Sequence, residues 1–289
     1  MQSLCRVPAL FLFSLFLLGP AAAASAQLIA AKDGPIVYGH HHLNVTNVET
    51  SRKFFVEVLG GVPAKMGNVD VINFPNAIVM LAARKPAGGS KGSTVDHIAF
   101  SVQNLRATVD RIKKAGFPIV TAAEAPANIK VSDDIAVLGT GPVSGLAYAM
   151  APDDMKIELV EMKGQATPIA SHHVHFRGPQ KEMQAWYAQT FGAAAGESAN
   201  AAAFISATLP GLTMNFTDAK DTVGTRGRAI DHIGFEVKNL EAFVKGLEAK
   251  GMKLDVAYRA VPQLGIAIAF ITDPWGTYIE LTEGLDKIQ

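Results

Sequence analysis

The stretch VDHIAFSV at Val95–Val102 recurs as IDHIGFEV at Ile230–Val237. The two copies align without a gap at an offset of 135 residues (232 − 97), and each is followed by a helical pattern that ends at a glycine. Polar and apolar residues alternate along both copies, which is typical of a β-strand with one buried face. Matching segments of this length predict that the chain repeats one structural unit.

A second pair of segments matches in the same way. The strand-like segments Gly39–Val45 and His172–Phe176 each lead into a helix that carries adjacent aromatic residues and stops at a glycine, Gly60 in the first and Gly192 in the second. The order along the chain is therefore unit A, unit B, unit A′ and unit B′. We predict an α+β fold made of four strand–helix–strands units.

Alternation along the strands separates side chains that face the helices from side chains that face a concave side of the sheet. The apolar residues of Ile98–Val102 are expected to cover the helix, so that His97 points to the concave side. On the closing strands, Glu158 and Glu280 each stand between two apolar residues and also point inward. An inward carboxylate is costly unless it is paired or bound to a cation.

The opening strands add further inward side chains. By alternation these are His40, His42 and Asn44 in unit A, and His173, His175 and Arg177 in unit A′. We therefore predict two metal sites: His40, His97 and Glu158 in the first half, and His173, His232 and Glu280 in the second. Two imidazoles and one carboxylate leave coordination positions open, which favours Fe(II) and is compatible with Mn, Ni or Zn.

Three motifs resemble the vicinal oxygen chelate superfamily, which includes glyoxalases, bleomycin resistance proteins and extradiol dioxygenases. They are DPWGTYIEL at Asp273–Leu281, the two DHI(A/G)F strands, and the helix end at Val58–Gly60. The resemblance covers nearly all of the chain after residue 35. It implies four βαβββ modules, paired into two tandem domains with cupped mixed sheets. We expect these domains at 36–163 and 169–286, joined by a linker at 164–168.

Carried over position by position, the resemblance implies the same six metal ligands. His172 is a rival to His173, because counting back from Gly192 favours His172, whereas strand alternation favours His173, which we choose. The glyoxalase I branch uses a fourth ligand, a glutamate, at positions where this sequence has Met80 and Asn215. That departure favours the three-ligand pattern of the extradiol dioxygenase branch.

The resemblance also draws attention to residues around the predicted sites. The dioxygenase branch has a tyrosine ten residues before the ligand glutamate, and Tyr148 meets that spacing (158 − 10), while Phe270 is its match in the second half. Tyr148 is predicted to be a catalytic proton donor or, equally, a plain barrel aromatic. The candidate substrate-binding residues are His42, His175, Arg177 and Phe270. Arg177 and Arg259 are each expected to bind a substrate carboxylate or, alternatively, to form an ion pair with a neighbouring acid.

Unit B is longer than unit B′ between Ala122 and Gly145. The excess is 13 residues (135 − 122), the difference between the histidine and glutamate offsets of the two copies. An insertion next to a metal cup is expected to form either a lid or a passive surface excursion.

The N-terminal segment has the layout of a secretory signal peptide over residues 1–26, with the apolar run Val7–Leu18 and the small residues Ala24–Ala26 before the cleavage site. An uncleaved anchor is the alternative. We expect a periplasmic or secreted protein that is not attached to a membrane after cleavage. Cys5, the single cysteine, lies within the signal, so the mature chain would have no thiolate ligand. The mature net charge of about −1 (25 − 26) gives no basic surface for nucleic acid.

Two classes of function fit these patterns. The first is a metalloenzyme in which the ion binds two oxygens of a small-molecule substrate and supports dioxygenase, isomerase or lyase chemistry. The second is a metal-independent protein that binds or sequesters a small molecule. Within the first class, either both halves are active, or one half is active and the other is a structural copy. We expect a monomer or a homodimer.

Overall fold

The computed structural model describes residues 34–139, 143–197 and 204–287. The predicted signal peptide, residues 1–26, lies outside the described residues. The described chain forms two mixed β-sheets with a few helices, which confirms the predicted α+β class and the repeated strand–helix–strands units. Within these ranges, no helix combines the length and the apolar character needed to cross a membrane.

The first sheet has eight strands in the order β15-β16-β17-β14-β1-β4-β3-β2. Their bounds are β1 Ile36–Val45, β2 Val62–Met66, β3 Val69–Phe74, β4 Ala77–Ala83, β14 Ile230–Val237, β15 Val256–Val261, β16 Ile266–Thr272 and β17 Tyr278–Glu283. The DPWG motif forms the turn that leads into β17, where Asp273 accepts hydrogen bonds from the backbone of Trp275 and Thr277.

The second sheet has nine strands in the order β11-β12-β13-β10-β5-β9-β8-β7-β6. Their bounds are β5 Val95–Val102, β6 Val131–Ser132, β7 Ile135–Val137, β8 Val143–Ala151, β9 Met155–Met162, β10 Ile169–Gly178, β11 Ala194–Glu197, β12 Ile205–Leu209 and β13 Leu212–Asp218. The described part of the predicted insertion supplies β6 and β7, which pair as a hairpin and extend the sheet beside β8. It therefore contains regular structure continuous with the sheet.

The helix bounds are α1 Val48–Arg52, continued by a π-helix at Lys53–Val58, then α2 Leu105–Lys114, α3 Thr121–Glu124, α4 Gln180–Phe191 and α5 Leu240–Ala249, with 3₁₀ turns at Pro152–Asp154, Pro262–Leu264 and Leu285–Lys287. Asparagine side chains cap the N-termini of α1, α2 and α5. The Asn104 side chain accepts the Ala107 amide at the start of α2. Gly192 ends α4 in the left-handed conformation, as predicted.

Each sheet combines one unit from each half of the chain. In the first sheet β1 of unit A pairs antiparallel with β14 of unit B′, and in the second β10 of unit A′ pairs antiparallel with β5 of unit B. The expectation that units A and B would close one metal cup, and units A′ and B′ the other, is therefore wrong. The physical reason is that strand alternation fixes which face is buried but not which strand edge finds which partner, and the repeated units have equivalent edges.

The main hydrophobic core joins both sheets. Phe100 on β5 lies 4.7 Å from Phe74 and 6.4 Å from His41 of the first sheet, measured between ring centroids. Backbone hydrogen bonds also cross between the sheets, from Tyr38 to Pro210 and from Ser171 to Pro75. The helix-facing residues of both sheets thus share one buried layer, and the histidine-bearing faces point away from it.

Candidate metal centres

Centre I consists of His40 on β1, His232 on β14 and Glu280 on β17, three neighbouring strands of the first sheet. The Nε2 atoms of His40 and His232 each lie 2.9 Å from the same carboxylate oxygen, Oε2 of Glu280. All three side chains are buried. Their potential ligand atoms lie within 4.8 Å of one another.

Centre II is the equivalent group in the second sheet. It consists of His97 on β5, Glu158 on β9 and His173 on β10, with His175 within the same 4.8 Å cluster. Nε2 of His97 lies 2.7 Å from Oε2 of Glu158, and Nε2 of His173 lies 3.3 Å from the same oxygen. The ligand types and their relative strand positions match those of centre I.

All six histidines and glutamates that the sequence singled out lie in these two clusters, but in different combinations from those predicted. His40 lies with His232 and Glu280, whereas His173 lies with His97 and Glu158. The predicted groupings, His40 with His97 and Glu158, and His173 with His232 and Glu280, are corrected accordingly. Each centre draws its ligands from both halves because each sheet does.

A β-bulge decides which histidine of β10 faces the centre. The pairing of β10 with β5 shifts between Ser171 and His173, so that His172 is the extra residue. His172 lies outside the cluster, and its Nδ1 is 2.8 Å from Nδ1 of His173. The same shift occurs on β1 between Tyr38 and His40. The bulge precedes the ligand histidine in both copies, so the different spacings to the helix-ending glycine, 20 residues from His40 (60 − 40) and 19 from His173 (192 − 173), arise after these histidines.

An aspartate precedes the middle histidine of each centre and orients its ring. Nδ1 of His97 donates to Asp96 over 2.7 Å, and Nδ1 of His232 donates to Asp231 over the same distance. Burial lowers the pKa of both histidines, but hydrogen bonds with these aspartates and with the centre's glutamate outweigh burial and raise it. These aspartates were not among the predicted site residues, although the repeated Asp-His pair is a signal for them in the sequence.

The donor set fits a divalent ion. With the ring proton on Nδ1, Nε2 of His97 presents a lone pair to a carboxylate oxygen 2.7 Å away, and such an approach requires a proton or a cation in between. Ligand atoms about 2.0–2.2 Å from one ion, and cis to each other, lie roughly 3 Å apart. The separations of 2.7–3.3 Å in both centres match that spacing.

A buried atom without a hydrogen-bond partner supports the same fit in centre II. Nε2 of His173 makes no hydrogen bond among the described residues, because its 3.3 Å contact with Glu158 is not aligned for one. Burial raises the pKa of Glu158, but His173 and His97 outweigh it and hold that pKa well below its usual range. The centre therefore presents an ionised carboxylate and a nitrogen that lacks a partner, the combination that a bound cation would satisfy.

A second histidine on each opening strand stacks on the middle ligand. The His42 ring lies 4.4 Å from that of His232, and the His175 ring lies 4.6 Å from that of His97, both at 28°. Burial, followed by the neighbouring His232, lowers the pKa of His42 to about 3. Burial, followed by His97, also lowers the pKa of His175, so both stacked rings are neutral.

The surroundings of centre II are polar. Lys156 is buried, forms an ion pair with Asp96 and lies 3.3 Å from Glu124. The Tyr148 ring lies 5.6 Å from the His97 ring, and burial, followed by the charge of Glu158, raises the Tyr148 pKa. Asn215 lies opposite His175 on the neighbouring strand. Lys156 was not among the predicted site residues, although strand alternation places it on the same face as Glu158.

The surroundings of centre I are apolar and aromatic. Phe270 and Tyr278 stack 4.9 Å apart and both meet the His232 ring edge-on. Met80 lies opposite His42 on β4. A cavity of about 300 Å³ opens beside Glu280 and His42. Of the predicted substrate-binding residues, His42 lines this cavity and Phe270 contacts the His232 ring, and their role in binding stays a prediction.

Of the two arginine candidates, only Arg259 lines this cavity. Arg177 is half-buried on β10, beyond the cluster of centre II, and its backbone amide donates to Thr94. Within the described parts of the chain, neither guanidinium has a carboxylate within 4.0 Å. The alternative prediction for the two arginines, an ion pair with a neighbouring acid, does not hold among those residues.

Comparisons with known proteins agree with this architecture. The family model described as Glyoxalase/Bleomycin resistance protein/Dioxygenase superfamily matches residues 37–127 and 141–281. Glyoxalase I from Zea mays superposes with a TM-score of 0.64 at 16% identity, over 87% of this chain and 94% of that chain. A Bacillus subtilis protein provisionally described as a dioxygenase superposes with a TM-score of 0.60 at 13% identity, over 86% and 84%. A comparison with curated proteins finds no match.

Proposed function

This chain belongs to the Glyoxalase/Bleomycin resistance protein/Dioxygenase superfamily, and we propose that it is a metal-dependent enzyme acting on a small oxygen-bearing substrate. The observation that carries the proposal is the convergence of two imidazole Nε2 atoms on one carboxylate oxygen, in both centres, at 2.7–3.3 Å. One such centre would be compatible with a buried ion pair. Its recurrence in two sheets, with the aspartate partner repeated as well, favours a shared metal-binding purpose.

Three protein ligands leave open positions on the ion, where a substrate can bind. A bound divalent ion would act as a Lewis acid that accepts two oxygens of the substrate and stabilises the anion formed from it. The set of two histidines and one glutamate favours Fe(II), with Mn, Ni or Zn as alternatives. An ion with open positions would support dioxygenase, isomerase or lyase chemistry. The residues Met80 and Asn215, in place of a fourth carboxylate, favour the dioxygenase-like pattern over that of glyoxalase I.

The protein's own residues would orient the site and exclude water. Asp96 and Asp231 hold the middle histidines so that Nε2 faces the centre. The neutral rings of His42 and His175 cover these histidines and offer a nitrogen to a bound substrate. At centre II the Tyr148 hydroxyl is a candidate to donate a proton to a substrate oxygen. Phe270, its counterpart at centre I, has no hydroxyl, so the two centres would differ in this step.

Metal analysis of the purified chain tests the proposal. We expect about two equivalents of transition metal per chain, and about one in either His232→Asn or His97→Asn, because each change removes a ligand from one centre. Glu57→Gln is the control, since Glu57 is exposed and lies outside both clusters, and the variant should keep the wild-type metal content. Unequal losses from the two ligand variants would indicate that one centre is a structural copy.

Absence of stoichiometric metal would contradict the enzyme proposal and favour the second candidate function, metal-independent binding of a small molecule. One observation favours that candidate: the largely apolar cavity beside centre I has room for a small molecule without any contribution from a metal. In that case His232→Asn should change ligand affinity without any change in metal content.

We also propose that the protein is exported to the periplasm or secreted, on the basis of the signal-like pattern of residues 1–26. N-terminal sequencing of the protein from the periplasmic fraction or the medium should begin at Gln27. Recovery of an uncleaved N-terminus would contradict the proposal.

A further inference from the structure

The cavity beside centre I has polar groups at its ends and apolar walls. Glu280 and His42 lie at the end next to the metal ligands, and Arg259 lies on the edge strand β15. The walls between them include Met66, Met80, Leu264, Ile266 and Ile268. The volume of about 300 Å³ is at the lower end of the range for small-molecule sites.

The register of the sheet directs Arg259 toward this cavity. Arg259 lies opposite Ile268 in the antiparallel pair of β15 and β16, and directly opposed residues point to the same face. Ile268 is buried in the cluster that lines the cavity. Arg259 itself is exposed, and among the residues that the structure describes its guanidinium has no carboxylate within 4.0 Å. Its five N–H donors are thus available to a ligand.

The second sheet has different residues at the equivalent positions. Leu146 is the counterpart of Ile268 at the offset of the glutamates (268 − 146 = 280 − 158), and it pairs with Ala136, which is buried. Centre II therefore has a methyl group where centre I has Arg259. Because centre I has an arginine at this position and centre II has an alanine, the shared fold does not require the guanidinium.

We propose that the cavity at centre I binds a small, mainly apolar carboxylic acid, with Arg259 binding the carboxylate and the apolar walls enclosing the body of the molecule. The inference rests on the proposed function in one respect, because the oxygen-bearing end of the ligand is expected at His40, His232 and Glu280. Charge complementarity selects the acid: a lone guanidinium at the rim of an apolar cavity matches a single carboxylate bound through two parallel hydrogen bonds.

Sheet geometry limits the length of the ligand. Arg259 lies on β15, two strands away from β17, which carries Glu280. It is also displaced by two residues along the strands, because Arg259 lies opposite Ile268 on β16 whereas Glu280 lies opposite Phe270. With about 4.8 Å between strands and about 3.4 Å per residue, the two Cα atoms lie roughly 12 Å apart. The side chains extend toward the cavity from both ends, so the space between them fits a single ring or a short alkyl chain.

Ligand titration of the purified holoprotein tests the proposal, with 3-phenylpropanoate as the probe and 3-phenylpropanamide as its neutral match. The readout is the NMR signal of the Met80 methyl group, assigned with Met80→Leu, because Met80 lines the cavity. We expect the acid to bind roughly 5- to 10-fold more tightly than the amide in the wild-type chain. That ratio should fall to about 1 in Arg259→Gln and keep an intermediate value in Arg259→Lys.

The matched control is Arg84→Gln, which removes an exposed arginine outside the cavity and should leave the ratio unchanged. An unchanged ratio in Arg259→Gln would overturn the inference, as would binding of the acid with no shift of the Met80 methyl signal. Metal content, measured on the same samples, separates this result from the proposed function. A chain that binds no metal and still prefers the acid through Arg259 would refute the enzyme proposal and support the acid site.

Discussion

The two centres differ at the strand position between the opening-strand histidine and the ligand glutamate. Gly234 occupies that position in centre I, paired with His40 on one side and Glu280 on the other, whereas Ala99 occupies it in centre II. A Cβ atom at residue 234 would lie 2.0–2.5 Å from atoms of the His40 ring. The missing side chain therefore lets His40 reach across β14 to the glutamate, at 2.9 Å against 3.3 Å for its counterpart in centre II.

The charge environment differs as well. In centre II the aspartate that orients His97 forms an ion pair with the buried Lys156, whereas in centre I the corresponding Asp231 accepts hydrogen bonds from Asn44 and from the backbone of Gly227. Duplication has thus preserved the three ligands and the aspartate while the surrounding residues have diverged. The ligands are the same in both centres, so the surrounding residues are what distinguishes them.

The largest expected effect comes from removing the cation next to centre II. Lys156→Met should destabilise the fold by about 3 kcal/mol, because it leaves the buried Asp96 without its positively charged partner. The matched change in the first sheet is Tyr278→Phe, which removes only a hydroxyl and should cost at most about 1 kcal/mol. Urea unfolding of both variants measures the difference, and equal losses would contradict the contrast between the centres.

A smaller effect is expected from exchanging Gly234 and Ala99, the residues that lie between the ligand histidine and the ligand glutamate on neighbouring strands. Gly234→Ala should cost about 1–3 kcal/mol, because the added methyl group displaces the His40 ring. The variant should also lose metal from centre I selectively. Ala99→Gly is the reverse change in centre II and should leave metal content unaltered. Thermal unfolding and metal analysis check both variants, and full metal occupancy in Gly234→Ala would show that the close approach of His40 is not needed.

The smallest expected effect concerns a buried carboxylate that only the first sheet has. Glu236 accepts hydrogen bonds from Gly284 and Leu285, yet burial outweighs them and raises its pKa above 4.5. Because the folded-state pKa is raised, the stabilising contribution of Glu236 is present at low pH and is lost as the pH rises through that pKa. Glu236→Gln should therefore gain stability relative to the wild type as the pH rises from about 4 to about 7.

Urea midpoints at several pH values measure that gain. Ser101 is the counterpart of Glu236 in the second sheet, so Ser101→Ala is the control and should give a difference that does not depend on pH. A pH-independent difference for Glu236→Gln would contradict the assignment of a raised pKa.

Residue type and strand alternation together predicted which histidines and glutamates point inward, because a period of two assigns every residue of a strand to one face. Alternation also separated His173 from His172, since the bulge at His172 preserves the face of the residues that follow it. The partner of each unit was not predictable in this way. Pairing β1 with β5 or with β14 satisfies the same local pattern, and only the packing of the complete chain distinguishes the two.

The residues that surround the ligands were partly predictable from the sequence. Asp96 and Asp231 carried a signal in the repeated Asp-His pair, and Lys156 carried one in its parity with Glu158. The cavity beside centre I was not predictable from the sequence, because its walls come from β2, β4, β15 and β16, which belong to distant parts of the chain.

The pairing of β1 with β14 and of β5 with β10 also constrains the order of folding. During synthesis, the first half emerges with one edge of β1 and one edge of β5 still lacking the strands that cover them. Uncovered strand edges are templates for association with other chains. The nascent chain therefore depends on its own last 120 or so residues, or on a chaperone in the meantime, to protect those two edges from aggregation.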